Sequence, residues 1–324
     1  MKRRDLLAAS AAGLAAGWPV LASATDAAWP ARPLRILAPS TAGSVPDVRA
    51  RWLAERLTPL LGQPVVVENR PGVGGNLAME AAARSAPDGY TLVMTHIGLT
   101  SLNPFLYERL NYDPKQFALV TRVGVGPLLL LVSPAQPIAT VDELLLQYRS
   151  GASSYGSQGT GAPPQLVAEL FLREARFAAT HVPYTNPMQA IADLMAGRVQ
   201  WLFEGTPVAL PLVRAGRLRA LAVTAEERLA QLPDVPTMRE AGFARITFDA
   251  WTGLAAPPGT PAAVIDRLYR ECARALGSAE AAAWFGNVGN APGGETPEAF
   301  SRIVLAEQEK WGAVIKALGI RVQS

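Results

Sequence analysis

Short apolar runs alternate with longer segments of helical periodicity along most of the chain. The runs LRILAP, PVVVEN and YTLVMT are flanked by Pro or Gly, which is typical of short strands. The segment after the first run ends at Gly62, a helix-stop residue. One helical face of that segment carries Val48, Trp52, Leu53, Leu57, Leu60 and Leu61. The alternation predicts an α/β fold with largely parallel sheets.

The later part of the chain continues this alternation. FALVTRVGVGPLLLLVS holds two short apolar runs, and Thr140 is the predicted cap of the next helix. Another helix is expected to open at Asn186-Pro187, with proline in its first turn. ITFDAWTGLAAP predicts a late strand, followed by helices over 261–276 and 297–318. A chain of this length predicts two lobes with separate cores.

The first 24 residues have the pattern of an export signal. Lys2-Arg3-Arg4 is a basic start, the segment up to Leu21 is almost wholly apolar, and Ala22-Ser23-Ala24 forms a cleavage site. We expect cleavage after about Ala24 and a mature protein in the periplasm. The paired arginines fit both an ordinary secretory signal and a twin-arginine signal, and the sequence leaves this choice open.

Composition excludes several other classes of protein. Of the 30 Lys and Arg and 27 Asp and Glu residues, three and one lie in the signal segment, which leaves a net charge of +1. This balance predicts no nucleic-acid binding. Cys272 is the single cysteine, and the two histidines form no zinc motif. We therefore expect no metal and no cofactor.

The loop APSTAGSVPDV carries small residues from the first strand to a helix start. Free backbone N–H groups and the helix dipole favour an anion at such a place. Ser44 and Asp47 also match the S-x-x-D capping box, so a purely capping role is the alternative for these side chains. A phosphate loop of the form G-x-x-x-x-G-K-[ST] is absent, and GVGGNL lacks the third glycine of a dinucleotide loop.

A second small-residue loop, YGSQGTG, precedes a helix that starts at Pro163 or Pro164. Two such helix starts, one in each lobe, could hold two ends of a small anion, and a plain connector is the alternative. The residues of these loops are also compatible with a different class of protein, an exported serine hydrolase that uses Ser157 or Ser44 with His96. The nearest approach to G-x-S-x-G lacks its first glycine, which argues against a nucleophile elbow.

Several motifs in this order resemble the Bug family, the extracytoplasmic solute receptors of tripartite tricarboxylate transporters. They include NRPGVGGN, APDGYTL, YGSQGTG, LPDVPT and APPGTP, and the similarity covers nearly the whole mature chain. The resemblance implies an α/β, two-lobed periplasmic binding protein of the type II (Venus flytrap) class, with a mixed, largely parallel sheet in each lobe. The first lobe is expected at 25–132 plus 249–324 and the second at 133–248.

The resemblance also implies a function without catalysis or cofactor. The ligand is expected to be a di- or tricarboxylate, an amino acid or an aromatic acid. The expected partner is the membrane permease of a tripartite tricarboxylate-type transporter, and the receptor is expected to be a monomer. A ligand sensor for a two-component system is the alternative within the same class of protein.

The resemblance also implies which residues bind the ligand, through the positions that match the family's motifs in each lobe. In the first lobe they are Ser40, Thr41, Ala42, Gly43, Ser44, Asp47, Thr95, His96, Ile97 and Gly98. In the second lobe they are Gly156, Ser157, Gln158, Gly159, Thr160, Gly161, Gln165, Tyr184, Thr185, Asn186 and Glu204. Trp251 in the returning strand is a further candidate. The first loop departs from the family pattern at Ser44 and Pro46, and we expect specificity to differ there because proline lacks an amide donor.

Overall fold

The computed structural model describes residues 29–149, 151–319 and 321. The expected signal segment and its cleavage site lie outside these residues. Within the described part of the chain, every helix is too short or too polar to cross a bilayer.

Ten strands among the described residues form one mixed sheet. They are β1 (Leu34–Ala38), β2 (Val65–Asn69), β3 (Thr91–His96), β4 (Ala118–Val132), β5 (Ser154–Ser157), β6 (Thr180–Pro183), β7 (Trp201–Gly205), β8 (Arg219–Val223), β9 (Asp249–Ala256) and β10 (Ala291–Pro292). The order is β2-β1-β3-β9-β4-β7-β5-β6, with β8 and β10 also paired to β4. The strands β1, β2 and β3 are mutually parallel, as are β5, β6 and β7, whereas β4 and β9 run antiparallel to their neighbours.

Ten α-helices flank the sheet within the described ranges. They are α1 (Val45–Leu61), α2 (Asn76–Ala83), α3 (Asn103–Leu106), α4 (Val141–Tyr148), α5 (Pro163–Ala175), α6 (Pro187–Met195), α7 (Thr206–Arg214), α8 (Ala262–Leu276), α9 (Ala279–Asn287) and α10 (Pro297–Leu318). The predicted α/β fold is confirmed by this alternation of strands and helices.

Two long strands divide the sheet into halves. Residues 118–127 of β4 pair with β9, and residues 128–132 pair with β7. We call β1 to β3, β9, β10 and the start of β4 the first half, and β5 to β8 with the end of β4 the second half. The two apolar runs of the sequence form one strand here, which continues through Pro127 at the point where its ladder changes partner. The lobe boundaries at 132/133 and 248/249 stay a prediction.

Hydrophobic cores lie in both halves, and one of them also packs Trp251 of β9 with residues of the second half. In the first half, Trp52 and Leu53 of α1 pack with Phe285 of α9 and with α8. In the second half, Trp201 is fully buried, stacks on Tyr155 with ring centroids 4.9 Å apart, and donates its indole N–H to Ser153 Oγ at 3.1 Å. These cores hold the strand ends that form the site.

Most helix-end predictions hold, and one helix was missed. Gly62 ends α1 in the left-handed conformation at φ 69°, as expected. Thr140 forms a full capping box with Glu143, and Asn186 accepts a hydrogen bond from the Met188 N–H. The predicted helices at 261–276 and 297–318 match α8 and α10, but α9 between them is not predicted because its short, alanine-rich sequence gives only a weak apolar stripe.

Candidate functional site

A cavity of about 130 Å³ lies between the two halves of the sheet. The first half contributes Pro39, Ser40, Val45, Pro46, Arg49, Pro71, Gly72, Val73, Gly74, Gly75, His96, Ala250, Trp251, Thr252 and Asn290. The second half contributes Leu128, Gln158, Gly159, Ala162, Pro163, Pro164, Tyr184, Thr185, Pro187, Glu204, Gly205 and Pro207, with Gly126 and Pro127 at the crossing. The wall is built largely of strand ends, loops and helix starts, as expected for a ligand cleft in an α/β protein.

Four helices begin at this cavity, and each carries a proline in its first two positions. These prolines are Pro46 in α1, Pro163 in α5, Pro187 in α6 and Pro207 in α7. The helix dipoles give the wall a positive potential. At the same time each proline replaces a backbone N–H donor with an apolar ring.

Of the binding residues predicted in the first loop, Ser40 alone lines the cavity wall, next to Val45 and Pro46 of the same loop. The Ser44 hydroxyl donates to Thr41 O at 2.8 Å and also contacts Ser40 Oγ. The predicted capping box is therefore wrong for Ser44, which occupies the N-cap position but uses its hydroxyl inside the loop. Thr41, Ala42, Gly43 and Ser44 do not line the cavity, and Ala42 and Gly43 are exposed.

Asp47 does reach back along the loop, to the N–H of Gly43 at 2.9 Å. It also accepts hydrogen bonds from Asn69 and Arg51. Burial opposes ionisation of Asp47, but the hydrogen bonds from Arg51, Gly43 and Asn69 hold its pKa below the usual value. The Asp47 carboxylate thus stabilises the loop at the start of α1 and does not line the cavity.

His96 is the member of the second predicted loop that faces the cavity. Its Nδ1 accepts a hydrogen bond from the Gly98 N–H at 3.1 Å, and a Cβ on Gly98 would come within 2.7 Å of the ring. Burial lowers the pKa of His96 to about 4, so the ring is neutral at physiological pH. Thr95, Ile97 and Gly98 are buried behind it.

Gln158 and Gly159 represent the third predicted loop in the cavity wall. The Gln158 amide donates to both carboxyl oxygens of Glu204, at 2.7 and 2.9 Å. Gln165 instead accepts from the Gly161 N–H at 2.7 Å and so closes the loop from behind. The other predicted members, Gly156, Ser157 and Thr160, together with Gly161 and Gln165, do not line the cavity.

Tyr184, Thr185 and Glu204 all line the second-half wall, whereas Asn186 is used as the cap of α6. Glu204 is only 2% exposed. Burial raises its pKa to about 7, against the opposing effect of hydrogen bonds from Gln158 and the Gly205 N–H. Trp251 lines the opposite wall.

Arg49 is the main site residue that the sequence did not indicate. It lies on α1, lines the cavity and is 2% exposed. Its Nη1 donates to Gly124 O at 2.8 Å and to Thr252 Oγ1 at 3.2 Å, and its Nη2 donates to Asn290 Oδ1. Asn290 in turn donates to Thr206 Oγ1 at the start of α7, so the chain of contacts joins the two halves.

The hydrolase alternative required a serine paired with His96. Instead, Ser157 Oγ lies 2.7 Å from Nε2 of His181, and Ser44 contacts Ser40 and Thr41. The other ring nitrogen of His181 faces the Gln165 amide at 3.3 Å and not a carboxylate. The predicted pairing is therefore wrong, and the pair that does form lies behind the wall with Ser157 only 2% exposed. Within the described ranges there is also no cluster of three or more metal-ligating side chains.

A mixed sheet in two halves joined by β4 and β9, with a ligand-sized cavity between the halves, defines a periplasmic binding protein fold. The chain belongs to the tripartite tricarboxylate transporter receptor family, whose model (TctC, "Tripartite tricarboxylate transporter family receptor") matches residues 49–320. Protein BugT of Bordetella pertussis is 34% identical over 303 residues, which cover 91% of this chain and 92% of BugT. The resemblance to the Bug family is thus confirmed. This is a family of solute receptors and not of enzymes.

Solved structures of similar proteins agree in fold. The periplasmic binding protein BugD is 30% identical with a TM-score of 0.86, covering 91% of this chain and all of BugD (100%). R. palustris Rpa4515 with adipate is 34% identical with a TM-score of 0.87, covering 90% of this chain and 99% of Rpa4515. MatC (Rpa3494) from Rhodopseudomonas palustris with bound malate is 30% identical with a TM-score of 0.83, covering 88% of this chain and 99% of MatC. The expected two-lobed binding-protein class is confirmed, and two of these relatives hold carboxylates.

Proposed function

We propose that this protein captures a small carboxylate-bearing solute in the periplasm and delivers it to the membrane permease of a tripartite tricarboxylate-type transporter. The observation that carries the proposal is the cavity itself, where four helix starts and the buried Arg49 cation surround a space between two halves of one sheet. Positive potential from helix starts and a buried guanidinium both favour an anion. The adipate and malate bound by the two relatives agree with this charge.

Of the predicted residues, we propose that Ser40, His96, Gln158, Gly159, Tyr184, Thr185, Glu204 and Trp251 face the ligand. The other predicted residues do not line the cavity, and among them Asp47 and Gln165 hold their loops through hydrogen bonds to Gly43 and Gly161. The two halves act as lobes that close about β4 and β9, because a ligand that contacts both walls stabilises the closed form over the open one.

A combined binding and shape experiment tests the proposal. The mature protein is screened by thermal shift against mono-, di- and tricarboxylates, amino acids and aromatic acids, since a ligand stabilises the folded state that it binds. Hits are titrated by calorimetry and measured by small-angle scattering. We expect at least one carboxylate to bind and to reduce the radius of gyration. Failure of every carboxylate to bind contradicts capture, and tight binding without compaction contradicts lobe closure.

The delivery step needs a test of its own. In a cell that lacks the receptor but keeps the cognate permease, we expect uptake of the bound solute to require this protein. Binding without any contribution to uptake would contradict the role in transport and would favour the sensor alternative.

A further inference from the structure

We infer that the cavity selects a monocarboxylate with an apolar body, bound through the Arg49 guanidinium, over a dicarboxylate of equal length. This inference rests on the proposed function and narrows its ligand class. Three features of the cavity carry it: a buried cation without a counter-ion, a carboxyl group in the second-half wall, and a wall rich in proline.

The buried cation is Arg49. The acceptors that it contacts, Gly124 O, Thr252 Oγ1 and Asn290 Oδ1, are all neutral. Its Nε is buried and has no hydrogen-bond partner among the described residues. A buried charge without an opposite charge is costly, so a ligand carboxylate that contacts Arg49 would offset that cost.

The donor geometry of Arg49 suits a carboxylate. A guanidinium has five N–H groups in a planar fork, and the three contacts use no more than three of them. The N–H on Nε and one on Nη2 have no acceptor among the described residues. Because Nε has almost no accessible surface, a ligand carboxylate would contact the guanidinium through Nη2, in a charge-assisted hydrogen bond that adds both energy and direction.

The second-half wall has no matching cation. Of the residues that line the cavity, Arg49 is the sole Lys or Arg, and the second half presents Glu204. His96 stays neutral because burial lowers its pKa to about 4. A second ligand carboxylate would therefore meet no cationic side chain in that wall, but only the Glu204 carboxyl group and neutral polar or apolar groups, whereas a single carboxylate balances Arg49.

The rest of the wall favours an apolar ligand body. The eight prolines of the cavity wall are Pro39, Pro46, Pro71, Pro127, Pro163, Pro164, Pro187 and Pro207. Those in the first turns of α1, α5, α6 and α7 remove N–H groups that would otherwise be free for a second carboxylate. Trp251 and Leu128 extend the apolar surface. Contact with such a wall stabilises hydrocarbon and leaves a charged group without hydrogen bonds.

The wild-type test compares hexanoate with adipate, which have the same chain length and differ by one carboxylate. A bulkier monocarboxylate, 3-phenylpropanoate, is the third probe. Affinities are measured by calorimetry on the mature protein. We expect either monocarboxylate to bind at least about tenfold more tightly than adipate. Adipate binding as tightly as both monocarboxylates would overturn the inference and leave the proposed function intact, whereas no binding of any carboxylate would overturn the proposed function.

Variants then test the role of Arg49. Arg49→Met should lower monocarboxylate affinity at least about thirtyfold, because it removes the charged partner, and Arg49→Lys should recover part of the loss as a point charge. Arg84→Met is the control, since Arg84 is an exposed cation that directly follows α2 and does not line the cavity. Normal monocarboxylate affinity in a folded Arg49→Met protein would overturn the inference. If Arg49→Met does not fold, the wild-type comparison decides alone.

Discussion

Glu204 makes stability depend on pH in a direction that can be derived from its surroundings. The carboxyl group is buried on β7, and burial raises its pKa from 4.5 to about 7. Below pH 4.5 both the folded and the unfolded chain bind the proton, so the group does not affect folding. As pH rises towards 7, the unfolded chain loses the proton first, and the folded state is penalised progressively.

The size of this penalty follows from the pKa shift. One pKa unit corresponds to about 1.4 kcal/mol, so the shift destabilises the folded state by about 3 kcal/mol above pH 7. Glu204→Gln removes the charge but keeps the shape, and a glutamine can still accept from the Gly205 N–H and exchange a hydrogen bond with the Gln158 amide. We therefore expect the variant to be more stable than wild type by up to about 3 kcal/mol at pH 8 and equally stable at pH 4.5.

Urea denaturation of both proteins at pH 4.5 and pH 8 measures this difference directly. Glu108→Gln serves as the control, because Glu108 is exposed and the substitution removes the same charge. The reasoning is refuted if Glu204→Gln gives no gain at pH 8, or the same gain at both pH values. The second result would indicate better packing and not the removal of a buried charge.

Four further predictions concern stability and are measured by urea denaturation at neutral pH. Gly253→Ala should lower the free energy of unfolding by about 1–3 kcal/mol, because the new Cβ would lie 2.4 Å from Phe300 Cζ. Gly286→Ala in α9 should raise it by about 0.5–1 kcal/mol, because the new Cβ would have no neighbour within 4 Å. Thr140→Ala should cost about 1 kcal/mol through loss of the α4 cap. Trp201→Ala should cost about 3–5 kcal/mol. A neutral result for Gly253→Ala, Thr140→Ala or Trp201→Ala would contradict the packing or cap assigned to that residue.

The pattern of apolar residues predicts most of the fold because the elements are locally consistent. Gly62, Thr140 and Asn186 mark helix ends through backbone chemistry that acts within a few residues. The continuity of β4 through Pro127 could not be predicted locally, since it depends on which strand pairs on each side of that residue. Such pairing is set by contacts far apart in sequence.

The site residues, like the strand pairing, could be predicted only in part from the sequence. Each of the predicted loops has a member at the cavity, including Gln158, Tyr184 and Glu204, but Ser44, Gln165 and Asn186 are engaged in local hydrogen bonds. The hydrogen-bond partner of a side chain in a loop depends on the exact turn, which composition does not determine.

The position of Arg49 in the sequence does indicate a buried cation. It precedes Trp52 by three residues and Leu53 by four, which places a cation on the buried face of α1. A charge at such a position needs a partner or a ligand. Asn290, its acceptor, carries no comparable signal, because it follows α9 in a loop that only the folded chain brings to the cavity.

The pairing of β4 with β9 has a consequence for how receptors of this kind can diversify. Pro127 and Asp249 are register partners, so the segment between them begins and ends at neighbouring points of the sheet. We expect that this segment can be exchanged between relatives with little change in the distance between its two ends. Chimeras that join residues 29–127 and 249–319 of this chain to the corresponding middle segment of a relative should recombine one ligand wall at a time, and inherited specificity can change by the same route.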